Sequence, residues 1–241
     1  MSRLFSILHR IIHRAFALML CLLFLPAYSL ADPFRPSGAY EGKVQALDLL
    51  EDVAFRSEYG AASGGQNLIR WEDTLRIRVT GTPTATDLAF LEDFLMTLSF
   101  RVPQLPPIVR TDGEDANIVI AYVPLSEMAE HVEGYIEDNW GFVSYWCDAQ
   151  GCIVREEIAI ASDVTSLHAR QHLILEEIVN GLGLCNHHSI YNDSILYEAW
   201  TETQLLSEVD WLMLNMIYSP EVAPGMTYPE VRNAIRSAIA P

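Results

Sequence analysis

Basic side chains are scarce in this chain. Its 241 residues carry 15 Lys+Arg against 32 Asp+Glu, a formal charge of −17. A surface with that balance repels phosphate backbones, which excludes nucleic acid as a partner. Cysteine is also scarce, with only Cys21, Cys147, Cys152 and Cys185. Cys147 and Cys152 have four residues between them and no second pair completes a zinc knuckle, so a zinc-finger module is excluded. There is no internal repeat and no low-complexity block. The apolar run from Ala15 to Leu25 stops at Pro26, short of the roughly 20 residues a membrane span needs.

The opening residues are the exception to the acidic balance. "MSRLFSILHRIIHR" carries Arg3, Arg10 and Arg14 and no acid, and "AFALMLCLLFLPAYSLA" follows. That is the layout of a signal peptide, residues 1–31, with cleavage expected after Ala31. An uncleaved anchor is the alternative. The expected location is periplasmic or secreted, with no stable membrane insertion after cleavage. The remaining chain has 12 Lys+Arg against 32 Asp+Glu, a formal charge of −20. A cationic partner, divalent ions or plain solubility all suit such a surface. Export permits disulfides. Cys147 and Cys152 flank the turn-like "DAQG" between two strand-like runs, and opposed hairpin positions come within disulfide range, so a Cys147–Cys152 bridge is expected. Cys185 is then left as a small buried thiol.

Residues 32–65 read as an N-terminal helix and linker, with Val44, Leu47, Leu50 and Val53 near helical spacing and "AASGGQ" as the connection. "LRIRVTG" and "ANIVIAYV" read as strands. "TATDLAFLEDFLMTLSF" is an amphipathic helix capped by Thr84 or Thr86, and "LSEMAEHVEGYIED" a shorter helix opened by Ser126. Two strands meet at the proposed disulfide, and a long helix ends at the Gly181–Gly183 pair. Ser207 caps a further helix. Thr227, Pro229 and Glu230 open a last one, within residues 219–241. The alternation predicts an α+β fold, a mixed sheet with helices packed on it and a helical C-terminal part.

The chemistry gathers in "HLILEEIVNGLGLCNHHS", His172 to Ser189. On a helix, Ile174, Leu175, Ile178 and Leu182 share one side, and His168, His172, Glu176 and Asn180 form a stripe opposite, with Glu177 at its edge. A His and a Glu at i, i+4 can bind a divalent metal, whereas a polar stripe opposite an apolar one is also what a solvated helix shows. His168 and Glu176 lie about 12 Å apart along the axis and cannot share one ion.

"EEIVNGLGLCNHHS", "NDSILYEAW" and "LSEVDWLMLNMIY" resemble the zincin metalloproteases in their metzincin layout, over roughly residues 66–218. By that resemblance Glu177 falls on the catalytic glutamate, Gly183 on the turning glycine and Leu196 in the place of the turn methionine. Ser207, Asp210 and Tyr218 fall on the closing helix. The three imidazole positions hold Glu176, Asn180 and Asn186. "EEIVNGLGL", "DSILYEAW", "SEVDWLMLNMIY" and "PGM" together also resemble the bacterial domain of unknown function 2927, a degenerate relative of that layout. The resemblance implies a zincin-like domain over 66–218.

Two functional readings follow. One carboxylate and two amides should lose most affinity for zinc. The first reading is therefore a pseudoenzyme: a non-catalytic cleft, with no cofactor, in which Glu176, Asn180, Asn186 and Trp200 bind an unidentified peptide or protein, with "IVREEIAIAS" as the edge strand. The second is a metal-dependent hydrolase with His172, Glu176 and His187 around zinc and Glu177 as general base. A calcium site of Glu176, Glu177 and Asp193 is a further option.

Overall fold

A computed structural model describes residues 39–56, 67–163 and 166–239. The expected signal peptide, residues 1–31, lies outside the described residues. Among the described residues no helix is long and apolar enough to cross a membrane.

Period-two apolar runs build one mixed sheet. Its strands are β1 (Arg70–Trp71), β2 (Leu75–Gly81), β3 (Ile108–Arg110), β4 (Ile118–Val123), β5 (Gly141–Cys147) and β6 (Cys152–Ala161). β2 lies between β3 and β4 and is parallel to both. β4 runs parallel to β6, with Ile120 opposite Ile158. β6 takes β1 in parallel at Cys152 and Ile153, and pairs antiparallel with β5. Among the described residues β5 pairs with β6 alone, so it is an edge strand. β6 is interior, which corrects the expectation that it is the edge. Its run from Ile158 to Ala161 is fully buried, as a strand covered on both faces requires.

The helices are α1 (Ala39–Phe55), α2 (Ala85–Arg101), α3 (Leu167–Gly181), α4 (Glu208–Ile217) and α5 (Tyr228–Ile239). The fold is α+β. Alternation on the strands divides the apolar residues between two clusters. Ile120, Tyr122, Ile158 and Ile160 join the main core with Leu47 and Leu50 of α1, Ile174 and Ile178 of α3, Leu214 of α4 and Val231 of α5. Ala121, Val123, Ala159 and Ala161 face the smaller cluster with Met128 and Val132. Local chemistry sets the helix starts. Thr84 and Asp87 form a capping box on α2, and Ser207 and Asp210 form another on α4. Ser166 caps α3 by accepting the Ala169 N–H at 3.2 Å.

Two further sequence expectations fail. The helix expected over 125–138 is a 3₁₀ segment of six residues, Leu125–Glu130. Ser126 does not cap it, and Gly134 and Asp138 adopt positive φ of 74° and 71°, which no helix accommodates. The Cys147–Cys152 disulfide is not formed, and both cysteines are free. The ladder shifts after Trp146, so that Cys147 pairs with Ile153 where an unbroken register would meet Val154, and in neither register is Cys152 its partner.

Candidate functional site

Helix α3 has no solvated face along most of its length. Its apolar side packs into the core, and His172, Glu176, Glu177 and Asn180 line a cleft of about 870 Å³. The other walls are β5, residues 133–140 and residues 197–200. His168 is exposed and is not among the lining residues. Of the stripe read from sequence, three of four residues therefore face a cleft rather than open water.

Glu176 is the centre of the polar cluster. His172 Nδ1 lies 3.0 Å from the Thr203 carbonyl oxygen, which only accepts, so Nδ1 carries a proton and Nε2 turns toward Glu176. Nε2 sits 3.3 Å from Glu176 Oε2. From the loop beyond α3, His187 Nε2 lies 2.7 Å from Glu176 Oε1. Burial acts to raise the Glu176 carboxyl, but hydrogen bonds from His172 and His187 and their charge outweigh it and hold the pKa down, at about 2. Trp200 meets the His172 ring edge to face at 5.3 Å, and Trp140 meets Trp200 in the same way at 5.6 Å.

Glu177 is buried beside the start of the edge strand. A Cβ at Gly141 would meet Glu177 Oε1 at 2.6 Å, so glycine there lets β5 close on α3. Asn180 is only 9% exposed and lines the cleft, and its Oδ1 has no hydrogen-bond partner. A buried amide oxygen left unpaired is costly, which marks this point as one where a ligand donor or a water is favoured.

Asn186, expected from the resemblance at a third imidazole position, is elsewhere. Its Nδ2 donates to the Asp52 carbonyl at 3.1 Å and its backbone N–H to Val53, also at 3.1 Å, so it ties the loop to α1. This corrects its expected place in the cleft. The tie leaves the next residue, His187, facing inward. Asp193 is exposed and does not line the cleft, unlike Glu176 and Glu177. Among the described residues no group of three or more His, Cys, Asp or Glu side chains is disposed to hold a metal ion.

A buried relay fixes the turn that closes the site. His188 Nδ1 accepts the Ile190 N–H at 3.2 Å, leaving Nε2–H to donate to Ser194 Oγ at 3.1 Å. Ser194 in turn donates to Asp210 Oδ1 at 2.5 Å. Asp210 also accepts from the Ile195 N–H at 3.1 Å, and from the Ser207 N–H and hydroxyl, each at 2.8 Å. Burial pushes the His188 pKa down, which suits its neutral role here. Beneath α3, Glu156 is 2% exposed, and burial pushes its carboxyl up to about 8 against an opposing bond from Trp71. Its carboxyl packs against Gly181, where any Cβ would collide with it.

Neither Trp140 nor Glu156 stands out in the sequence reading above. The missed signals were local. Trp140 precedes a glycine that opens a strand, and Glu156 sits in phase with the inward Ile158 and Ile160.

An antiparallel edge strand and a polar helix, facing each other across a cleft, define an α+β protein with its candidate site along a sheet edge. The chain belongs to the family described as protein of unknown function (DUF2927), which matches residues 45–237. The match runs from within α1 to within α5, so most of each of these helices falls in the family region. No curated protein gives a significant match.

Proposed function

We propose that this protein is an exported zincin-like pseudo-protease whose cleft binds an extended peptide or protein segment without cleaving it. The observation that carries the reading is the contact of His187 Nε2 with Glu176 Oε1 at 2.7 Å, while His172 approaches the other oxygen. Two ligands of one tetrahedral zinc, each about 2.0–2.2 Å from it, sit more than about 3 Å apart. A separation of 2.7 Å is that of a charge-assisted hydrogen bond. The imidazoles therefore satisfy the carboxylate between them rather than opening toward one ion. At the positions the zincin resemblance assigns to imidazoles, Asn180 offers an amide and Asn186 is engaged with α1. That donor set supports the non-catalytic reading over a zinc site. β5 supplies what a strand-adding ligand needs, an edge strand whose residues line the cleft.

The second reading, a metal-dependent hydrolase using His172, Glu176 and His187 with Glu177 as base, draws on the meeting of those side chains in one cleft. Elemental analysis of the protein purified without chelator decides between them. The expected result is no stoichiometric metal. Tightly held zinc at one ion per chain, lost in both His172→Ala and Glu176→Gln, overturns the proposal in favour of the hydrolase.

A further inference from the structure

The cleft is one-sided in charge. Its described lining includes Glu133, Asp138, Glu176, Glu177 and Glu198 and no lysine or arginine. The imidazoles inside it are those of His172 and His187, and both already contact Glu176. Glu133 and Asp138 come from the segment preceding β5, and Glu198 from the chain beyond the Ser194 turn. A strand laid along β5 therefore passes between acids on different parts of the rim. Low-dielectric walls concentrate such a field on whatever enters.

The same rim holds two indoles that the core does not consume. Trp140 is 42% exposed and Trp200 is 54% exposed, and they touch each other edge to face. Exposed tryptophan is costly to leave against water, and its π face is the preferred seat for a guanidinium or ammonium group. At the floor, Asn180 Oδ1 is buried, unpartnered and within the lining, so it calls for an N–H donor. Acidic rim, indole pair and orphaned acceptor all ask for the same chemistry, a donor-rich cation.

We infer that the occupant of the cleft is a basic extended segment of another protein, added to the β5 edge with an arginine or lysine side chain seated between Trp140, Trp200 and Glu198. This rests on the reading of the cleft as a peptide groove and names the class of peptide. Arginine suits the seat better than lysine, because its planar fork can stack on an indole and hydrogen-bond a carboxylate at once.

The test uses three hexapeptides, acetylated and amidated so that they carry no terminal charge. They alternate valine with arginine, threonine or glutamate. Binding to the purified full chain is followed by tryptophan fluorescence and by calorimetry at low salt. The arginine peptide should bind about tenfold or more tighter than the threonine peptide, and the glutamate peptide weakest. Trp200→Ala and Glu198→Gln should each cost about fivefold for the arginine peptide alone. Both side chains are exposed, so the fold survives, as circular dichroism will check. Glu114→Gln removes an equally exposed acid that does not line the cleft, and should change nothing. Equal binding of the three peptides overturns this inference and leaves the groove reading standing. So does an equal loss in Glu114→Gln and Glu198→Gln, which would report bulk charge. Binding of none of the three overturns both.

Discussion

Glu176→Gln isolates the one cluster on which the functional reading depends. The carboxyl is held at about 2 against an ordinary value of 4.5, by His172 and His187 against the cost of burial. At 1.36 kcal/mol per pKa unit, that difference stabilises the folded chain by up to about 3 kcal/mol. The side chain is 15% exposed, so solvent screens the interaction little. The sign follows from proton counting. Between 4.5 and about 2 the unfolded chain binds the proton and the folded chain does not, so wild-type stability is complete above 4.5 and is lost as pH falls toward 2. Glutamine keeps the shape and cannot titrate. Urea unfolding of both proteins at constant ionic strength, from pH 6 to pH 2.5, should therefore show a gap of about 2–3 kcal/mol at pH 6 that narrows steadily below pH 4.5. Two proteins of equal stability at pH 6, or a gap that stays constant down to pH 2.5, would refute the claim that the two imidazoles hold this carboxylate.

The neighbouring supports make separate predictions. Gly181→Ala drives a methyl into the buried Glu156 carboxyl, which has no room to retreat, and should cost about 1–3 kcal/mol in thermal or urea unfolding. An unchanged melting temperature would mean that Glu156 does not pack where described. Asp210→Ala strands the Ser194 and Ser207 hydroxyls and the Ile195 and Ser207 N–H groups, and should cost about 3 kcal/mol or more. Hydrogen exchange at residues 194–197 should rise with it; native-like protection there would contradict the role given to the relay.

Legibility from sequence followed the range of the interactions. The strands in "LRIRVTG" and "ANIVIAYV" and the caps at Thr84 and Ser207 were readable because each depends on residues two or three positions apart. The same holds for the grouping of His172, Glu176 and Asn180, since one helix face spaces them. What failed depended on partners far along the chain. Which of β5 and β6 lies at the edge is decided by β4, which pairs with β6 from a region some 40 residues earlier. The disulfide was misjudged because the ladder set by the upstream part of the hairpin pairs Cys147 with Ile153 and not Cys152, and no composition signal marks that register. The segment 125–138 has an apolar spacing that suits a helix, but the backbone at Gly134 and Asp138 turns away.

Asn186 and His187 carry the clearest lesson about why the site was only half readable. Alignment with a metalloprotease layout puts Asn186 in the cleft, because it counts residues from Gly183. The chain counts differently. The Asn186 amide and backbone N–H are drawn to the carbonyls of Asp52 and Val53 at the end of α1, a helix more than 130 residues upstream. Once that end of the loop is tied down, the adjacent side chain turns to the other side, and His187 reaches Glu176. The N-terminal helix thus helps to choose which loop residue enters the cleft. It does so through two backbone carbonyls, whose acceptors are the same whatever side chains α1 carries. No residue pattern could announce that contact, and it is what places an imidazole against the carboxylate of Glu176.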